Sequence, residues 1–337
     1  METGDVKMKN FFAKRKTLLK GLGWLVLIVA TVALSAGTIH AAGSLEPMGL
    51  SPLAFFLILL VACTLIGVFA VLAGVGGGVI FTPVFMGFTP IDSYIIRSTG
   101  LFVAMAGALV AARPFLRQGI ANIRLLFTGA VPYTAFAVIG ALMAGYIEHA
   151  MGQGGEAFIN GALGIIVIGI GCLFIFFGGK TEYPEVSHVD KFTEKMALNM
   201  PYFEASLGKV VHYKLTRAGL GLVLFCGVGL ISGLFGLGAG WAMVPVFNMV
   251  MMAPLKVAAT SSKVMISLGD TAAVWPYIVG GGMFPLFAVP SMIGLIVGTL
   301  IGARIMLKIK AGFIRYLIIA VMIGAGIRLV MKAISMF

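Results

Sequence analysis

Apolar residues fall in long blocks along this chain, with polar residues gathered into short intervals between them. Predominantly apolar runs lie at about 22–42, 51–73, 95–112, 125–147, 157–178, 218–235, 264–280, 284–303 and 313–331. Each holds ~17 or more residues, enough for an α-helix to cross a hydrocarbon core of about 30 Å. A transmembrane β-barrel would instead show alternating segments of about ten residues. The pattern predicts an all-α polytopic membrane protein. The first run follows a basic start, as a signal peptide does. From Gly21 to Ala42 it is longer than a usual signal core, however, and "TIHAAGS" is a poor cleavage site. We expect an uncleaved extra N-terminal transmembrane helix.

Two of the blocks contain glycine clusters followed by a proline. They read "LAGVGGGVIFTPVF", Leu72 to Phe85, and "FGLGAGWAMVPVF", Phe235 to Phe247. At a shift of 162, Gly74, Gly76, Gly78, Pro83, Val84 and Phe85 fall on Gly236, Gly238, Gly240, Pro245, Val246 and Phe247. The register continues: Thr99 meets Ser261, Gly107 meets Gly269, Gly140 meets Gly302 and Gly164 meets Gly326. The chain therefore divides into a basic N-terminus with the extra span (1–50), a first repeat (51–178), a polar loop (179–217) and a second repeat (218–337).

Composition fits the pattern. Sixty per cent of the 337 residues are hydrophobic and 11% are charged, against roughly a quarter charged in a soluble domain. The formal charge of +12 does not point to nucleic acid, because the basic residues flank the spans. They gather at Lys7 to Lys20, at Arg113, Arg117 and Arg124, and at Arg304 to Arg315. If every apolar segment crossed once, with the N-terminus cytoplasmic, the cluster at 113–124 would lie outside. If instead 51–88 and 218–250 each enter and return to the same side, that cluster, the loop 179–217 and 304–315 are all cytoplasmic, as the positive-inside rule favours. Glu148 and Glu156 then lie outside with the C-terminus. A hairpin plus three crossings is an odd number, so the repeats are inverted. We expect a multi-pass inner-membrane protein whose partners are the lipid bilayer and a small anionic substrate; a homodimer is compatible with this reading.

Irregular backbone is tolerated at membrane depth only where it is buried in protein or lines a wet cavity. A helix restarting after such a break directs free N–H groups at the bilayer centre, and its positive dipole end suits an anion. Paired broken helices at corresponding positions mark transporter sites; close helix packing through small residues is the competing explanation. The expected binding set is Gly74, Gly76, Gly77, Gly78 and Thr82 in the first break, with Gly236, Gly238 and Gly240 in the second. The polar segments that follow add Arg97, Ser98 and Thr99, then Thr260, Ser261, Ser262 and Lys263. Snorkelling to the interface is the alternative for Arg97. Lys263, Ser267 and Asp270 share one helix face. Asp270 is the proton-coupling candidate, unless it only offsets Lys263. Trp241 is a candidate cavity wall.

Three cysteines and four scattered histidines supply no metal spacing and no disulfide framework, and no cofactor is expected. A membrane-embedded enzyme would need a nucleophile, base or metal cluster that the spans do not supply, so the chain is read as a non-enzyme. A scaffold or sensor role would use the central loop.

The segments "GVGGGVIFTPVF" with "RSTG", and "GLFGLGAGWAMVPVF" with "AATSSK", resemble the TauE/SafE family of sulfite and organosulfonate exporters, from about Phe56 to Lys332. The resemblance implies secondary transport of small sulfur-containing anions; a channel, or a transporter of another organic anion, is the alternative. The extra N-terminal span and the central loop depart from a minimal member. The loop stretch from Val189 to Leu215 is expected to form an amphipathic or partner-binding helix.

Replacing Gly76 or Gly238 by leucine should block transport while the protein still inserts. Normal flux in both variants would reduce these glycines to packing devices.

Overall fold

A computed structural model of the chain describes residues 51–72, 76–117, 119–176, 184, 186, 188–198, 200–204, 209–306 and 312–336. The expected span at 22–42, Gly74 and the basic residues of the N-terminus lie outside them. The elements are α1 (Pro52–Leu72), α2 (Gly77–Phe88), α3 (Ser93–Arg117) and α4 (Ile123–Phe176), then a short α5 (Lys191–Lys195) and two strands, β1 (Tyr202–Glu204) and β2 (Lys209–Val211). After these come α6 (Ala218–Phe235), α7 (Gly240–Pro245) with a π-helical continuation Val246–Val250, α8 (Leu255–Val279), α9 (Pro285–Met306) and α10 (Gly312–Met336). Among the described residues, six helices are long and apolar enough to cross a membrane. Helix α8 has 25 residues but carries the polar run from Thr260 to Asp270. Helix α4 is two arms joined at Gly152, whose φ of 52° and ψ of −130° interrupt the helix. Gly155 packs back on the carbonyl of Ile147, so the second arm reverses.

Both glycine clusters do break their helices. Helix α1 ends at Leu72 and α2 starts at Gly77, while α6 ends at Phe235 and α7 starts at Gly240. Each short leg folds back along its long one. The Thr216 N–H donates to the Met251 carbonyl at 3.2 Å, which joins the two ends of the second hairpin. In the first, Phe55 near the start and Phe85 near the end both pack on the ring of Phe287.

Small residues set the helix spacing, as they must where lipid is as apolar as the interface itself. Helices α1 and α9 run parallel, with Gly294 against Leu60, Gly298 against Thr64 and Gly302 against Val68. Helix α6 and the first arm of α4 run parallel in the same way, with Gly229 against Tyr133, Gly233 against Ala137 and Gly140 against Leu230. Shifting Gly302–Val68 by one repeat and exchanging the halves gives Gly140–Leu230, and Gly67–Leu295 becomes Gly229–Tyr133. The two sets of contacts are thus related by the repeat register with the partners exchanged.

Equivalent helices run antiparallel. Tyr94 at the start of α3 packs on Tyr277 at the end of α8, whereas Asn122, just beyond α3, binds Ser261 near the start of α8. Gly161 lies against Ala333 and Gly171 against Ile323, with Gly164 meeting Gly326 between them.

The central segment does not form the expected long amphipathic helix. It makes the short α5 and an antiparallel hairpin pairing Tyr202 with Val211 and Glu204 with Lys209. Pro201 lacks a donor and steers Met200 out of helical backbone.

A Cβ at position 164 would lie 2.7 Å from the Gly326 carbonyl and 2.7 Å from a Val330 methyl. Gly164→Leu should destabilise by roughly 1–3 kcal/mol or more. Gly169→Ala, which faces open space, should be within about 0.5 kcal/mol of wild type. Thermal unfolding of purified protein reads both.

Candidate functional site

The two breaks meet in the interior. Gly76, in extended conformation (φ −71°, ψ 146°), precedes α2 with no side-chain cap, and Ala239 precedes α7 with none either. A Cβ on Gly76 would sit 3.6 Å from the Gly240 Cα, and one on Gly240 would sit 3.0 Å from the Gly76 nitrogen. Gly78 faces the carbonyls of Leu237 and Gly100 at 2.6 and 2.9 Å from its Cβ position, while Gly77 is covered by the Leu295 side chain. Gly236 and Gly238 have φ of 65° and 67°, in the left-handed region that costs glycine least.

Three carbonyls at the second break, of Gly233, Leu234 and Gly236, are taken up by side chains of other elements. The Thr82 hydroxyl donates to the Gly236 carbonyl at 2.8 Å. The Arg97 guanidinium donates to the Leu234 carbonyl at 3.3 Å and to Ser93 at 3.2 Å, and it pairs with Glu148 at 2.7 Å. Tyr277 donates its hydroxyl to the Gly233 carbonyl at 2.8 Å. A cation at the C-terminal end of α6 also complements the helix dipole. Arg97 is fully buried rather than snorkelled to the interface. It braces the break, with its charge balanced by the partly exposed Glu148, and removing Glu148 would strand the buried guanidinium at a cost of about 3–5 kcal/mol.

Ser98 and Thr99 follow Arg97 on α3, a helix that faces the second break through Arg97, Gly100 and Ala104. Both are fully buried, and neither hydroxyl has a hydrogen-bond partner. Such a buried group costs free energy until something satisfies it. The matching hydroxyls of α8 are engaged. Thr260 donates to the Lys256 carbonyl, Ser262 donates to the Ala259 carbonyl, and Ser261 accepts the Asn122 N–H at 3.1 Å.

Ile266 faces Gly240, with Lys263 a turn before it and Asp270 a turn after it on the same face of α8. Half-buried Lys263 forms no hydrogen bond or ion pair with another described residue. Asp270 is fully buried. One carboxylate oxygen, Oδ1, accepts from the Tyr133 hydroxyl and, at 3.4 Å, from Ser232. The other, Oδ2, has no partner and lies 3.5 Å from the Cβ position of Gly238. The coupling candidate thus touches the second break directly.

Sequence reasoning missed Tyr133, Ser232, Glu148, Tyr277 and Asn122. Tyr133 and Ser232 read as ordinary members of apolar helices, and only Glu148, as a charge beside a span, carried a signal. Trp241 does wall a cavity, of about 420 Å³, but this one is apolar and lies between α6 and its returning leg, beside Val223, Ile231, Pro245 and Met249. Among the described residues no cluster of three or more His, Cys, Asp or Glu side chains is placed to hold a metal ion.

The family model described as "Sulfite exporter TauE/SafE" matches residues 59–329. The chain belongs to the TauE/SafE family. The match takes in both breaks and every described residue of the site. Among curated proteins, this TauE/SafE chain is similar to the "Probable membrane transporter protein YunE" of Bacillus subtilis (strain 168), with 22% identity over 289 residues. That alignment covers 83% of this chain and 98% of the relative. No solved structure gives a significant match. The family and the relative agree with the apolar helices: the chain is a multi-pass membrane transporter.

If Lys263 attracts the transported anion, Lys263→Ala should raise the half-saturating concentration about tenfold or more at every pH. Asp270→Asn should abolish the proton dependence of flux and spare anion exchange. Unchanged affinity removes Lys263 from the site, and surviving proton dependence makes Asp270 structural.

Proposed function

We propose that the protein is a secondary transporter that exports small sulfur-containing oxyanions, such as sulfite or organosulfonates, across the inner membrane by alternating access. The observation that carries this reading is the meeting of two broken helices at Gly76 and Gly240, with a buried, unpartnered oxygen of Asp270 against Gly238. A pyramidal or tetrahedral oxyanion offers acceptors for the N–H groups at the start of α2, a 12-residue helix, and the buried hydroxyls of Ser98 and Thr99 on α3 belong to the same proposed binding set. Lys263 supplies the balancing charge and Asp270 the proton-linked group. The family's description points to sulfite.

The two units are residues 51–178 and 218–337, each a glycine-broken hairpin followed by three crossings. Their reciprocal contacts and the antiparallel course of equivalent helices support an inverted relation. Rocking of one unit against the other would expose the meeting point of the breaks to each side in turn. On the side of the central segment Arg124, Lys191, Lys195, Lys209, Lys214 and Arg217 outnumber Asp190, Glu194 and Glu204, whereas on the other side Glu148 and Glu156 are offset by Arg97 and Lys332. This polarity supports a cytoplasmic loop 179–217. The reading needs a bilayer and an anion, and no nucleic acid.

Purified protein in proteoliposomes tests it with a panel of sulfite, alkylsulfonates and carboxylates under an imposed pH gradient. Saturable sulfite or sulfonate flux that responds to the gradient is expected. Flux of carboxylates alone would assign another organic anion, non-saturating flux would indicate a channel, and no flux of any anion would remove the transport reading.

A further inference from the structure

The central segment is fastened at both ends to the membrane helices. At one end the Asp190 carboxylate accepts the Thr193 hydroxyl, the Thr193 N–H at 3.1 Å and the Arg217 N–H at 2.6 Å. The Thr193 hydroxyl in turn accepts the first N–H of α6, from Ala218, at 3.1 Å. At the other end, Arg124 and Asn122 at the start of α4 donate to the carbonyls of Ala197 and Leu198, at 2.8 and 2.6 Å. The segment therefore ties the beginning of the second hairpin to the first unit, and its Leu198, Tyr202 and Leu215 are buried.

Asn122 is the hub of this attachment. It is 1% exposed, and its polar groups serve three elements at once. Its Nδ2 donates to Leu198 and, at 2.8 Å, to the hydroxyl of Tyr213. Its Oδ1 accepts the Leu125 N–H and so caps α4. Its backbone N–H donates to Ser261 on α8. Burial pushes the Tyr213 hydroxyl up to about 12, so it stays neutral at physiological pH.

From this bridge we infer that Asn122 is a positioning residue that couples the docked central segment to Ser261, so that segment and site change state together. The inference rests on the placement of Ser261 in the anion site. If α8 moves as the units rock with substrate, the Asn122 N–H loses its acceptor and the hold on Leu198 and Tyr213 is weakened. An anion that only accepts from the Ser261 hydroxyl leaves that oxygen free to keep the Asn122 N–H. By linkage, whatever the anion does to docking, docking does equally to anion affinity.

Trypsin reads the docking through Lys191 and Lys195, which are exposed beside the Asp190 clamp. The substrates are full-length wild type, Asn122→Ala, Tyr213→Phe, Ser261→Ala and Ser261→Thr in proteoliposomes. Without anion, Tyr213→Phe should speed cleavage about fivefold, the worth of one hydrogen bond, and Asn122→Ala, which removes three, should speed it more. Ser261→Ala, which touches no residue of the segment, should speed it as much as Tyr213→Phe, and Ser261→Thr should restore it. Saturating sulfite should change the cleavage rate of wild type but not of Ser261→Ala. Wild-type cleavage rates in Ser261→Ala overturn the coupling, as does a sulfite response of equal size in wild type and Ser261→Ala. Tyr213→Phe keeps the ring and tests the hold even if Asn122→Ala fails to fold. An effect of Ser261→Ala on cleavage, with no flux of any sulfur anion, would uphold the coupling and sink the substrate reading instead.

Discussion

A broken helix inside a bilayer must find partners for the backbone groups it releases, and this constraint organises the interior of the protein. Water is not at hand, and each unsatisfied group costs several kcal/mol. The second break meets the demand with donors from outside its own hairpin. Thr82 comes from the first hairpin, Arg97 from α3 and Tyr277 from α8. Those donors in turn require glycine where they approach: a Cβ on Gly236 would collide with the Arg97 carbonyl, and one on Gly100 with Thr82. The glycine clusters therefore allow the break and also allow the neighbours that satisfy it.

The hydroxyls of Ser93, Ser98 and Thr99, the Trp241 indole N–H and one oxygen of Asp270 stand outside this set of hydrogen bonds. Buried polar groups without a partner call for an explanation, and in the proposed transport cycle a proton on Asp270 would supply one for its oxygen.

Much of the architecture was legible in the sequence. Apolar length marked the spans, and the two glycine clusters marked the breaks. The repeat register anticipated α3 and α8, whose bounds of 93–117 and 255–279 coincide under the same shift. Charge placement near span ends argued for hairpins, and the ends of both do come together. The partners were not legible. Tyr133 lies 137 positions from Asp270 and Arg97 lies 51 from Glu148, and a tyrosine or serine in an apolar helix carries no periodic signal. The central segment misled for a local reason, since its polar composition masked the turn-forming chemistry around Pro201.

The Arg97–Glu148 brace belongs to one half alone. The repeat register places Ala259 opposite Arg97, so no guanidinium stands in the corresponding position of the other unit. In the proposed alternating-access cycle, two chemically identical inverted halves would make the outward and inward arrangements equal in energy by symmetry. An ion pair present in one half only would contribute to lifting that degeneracy and to giving the empty carrier a resting orientation.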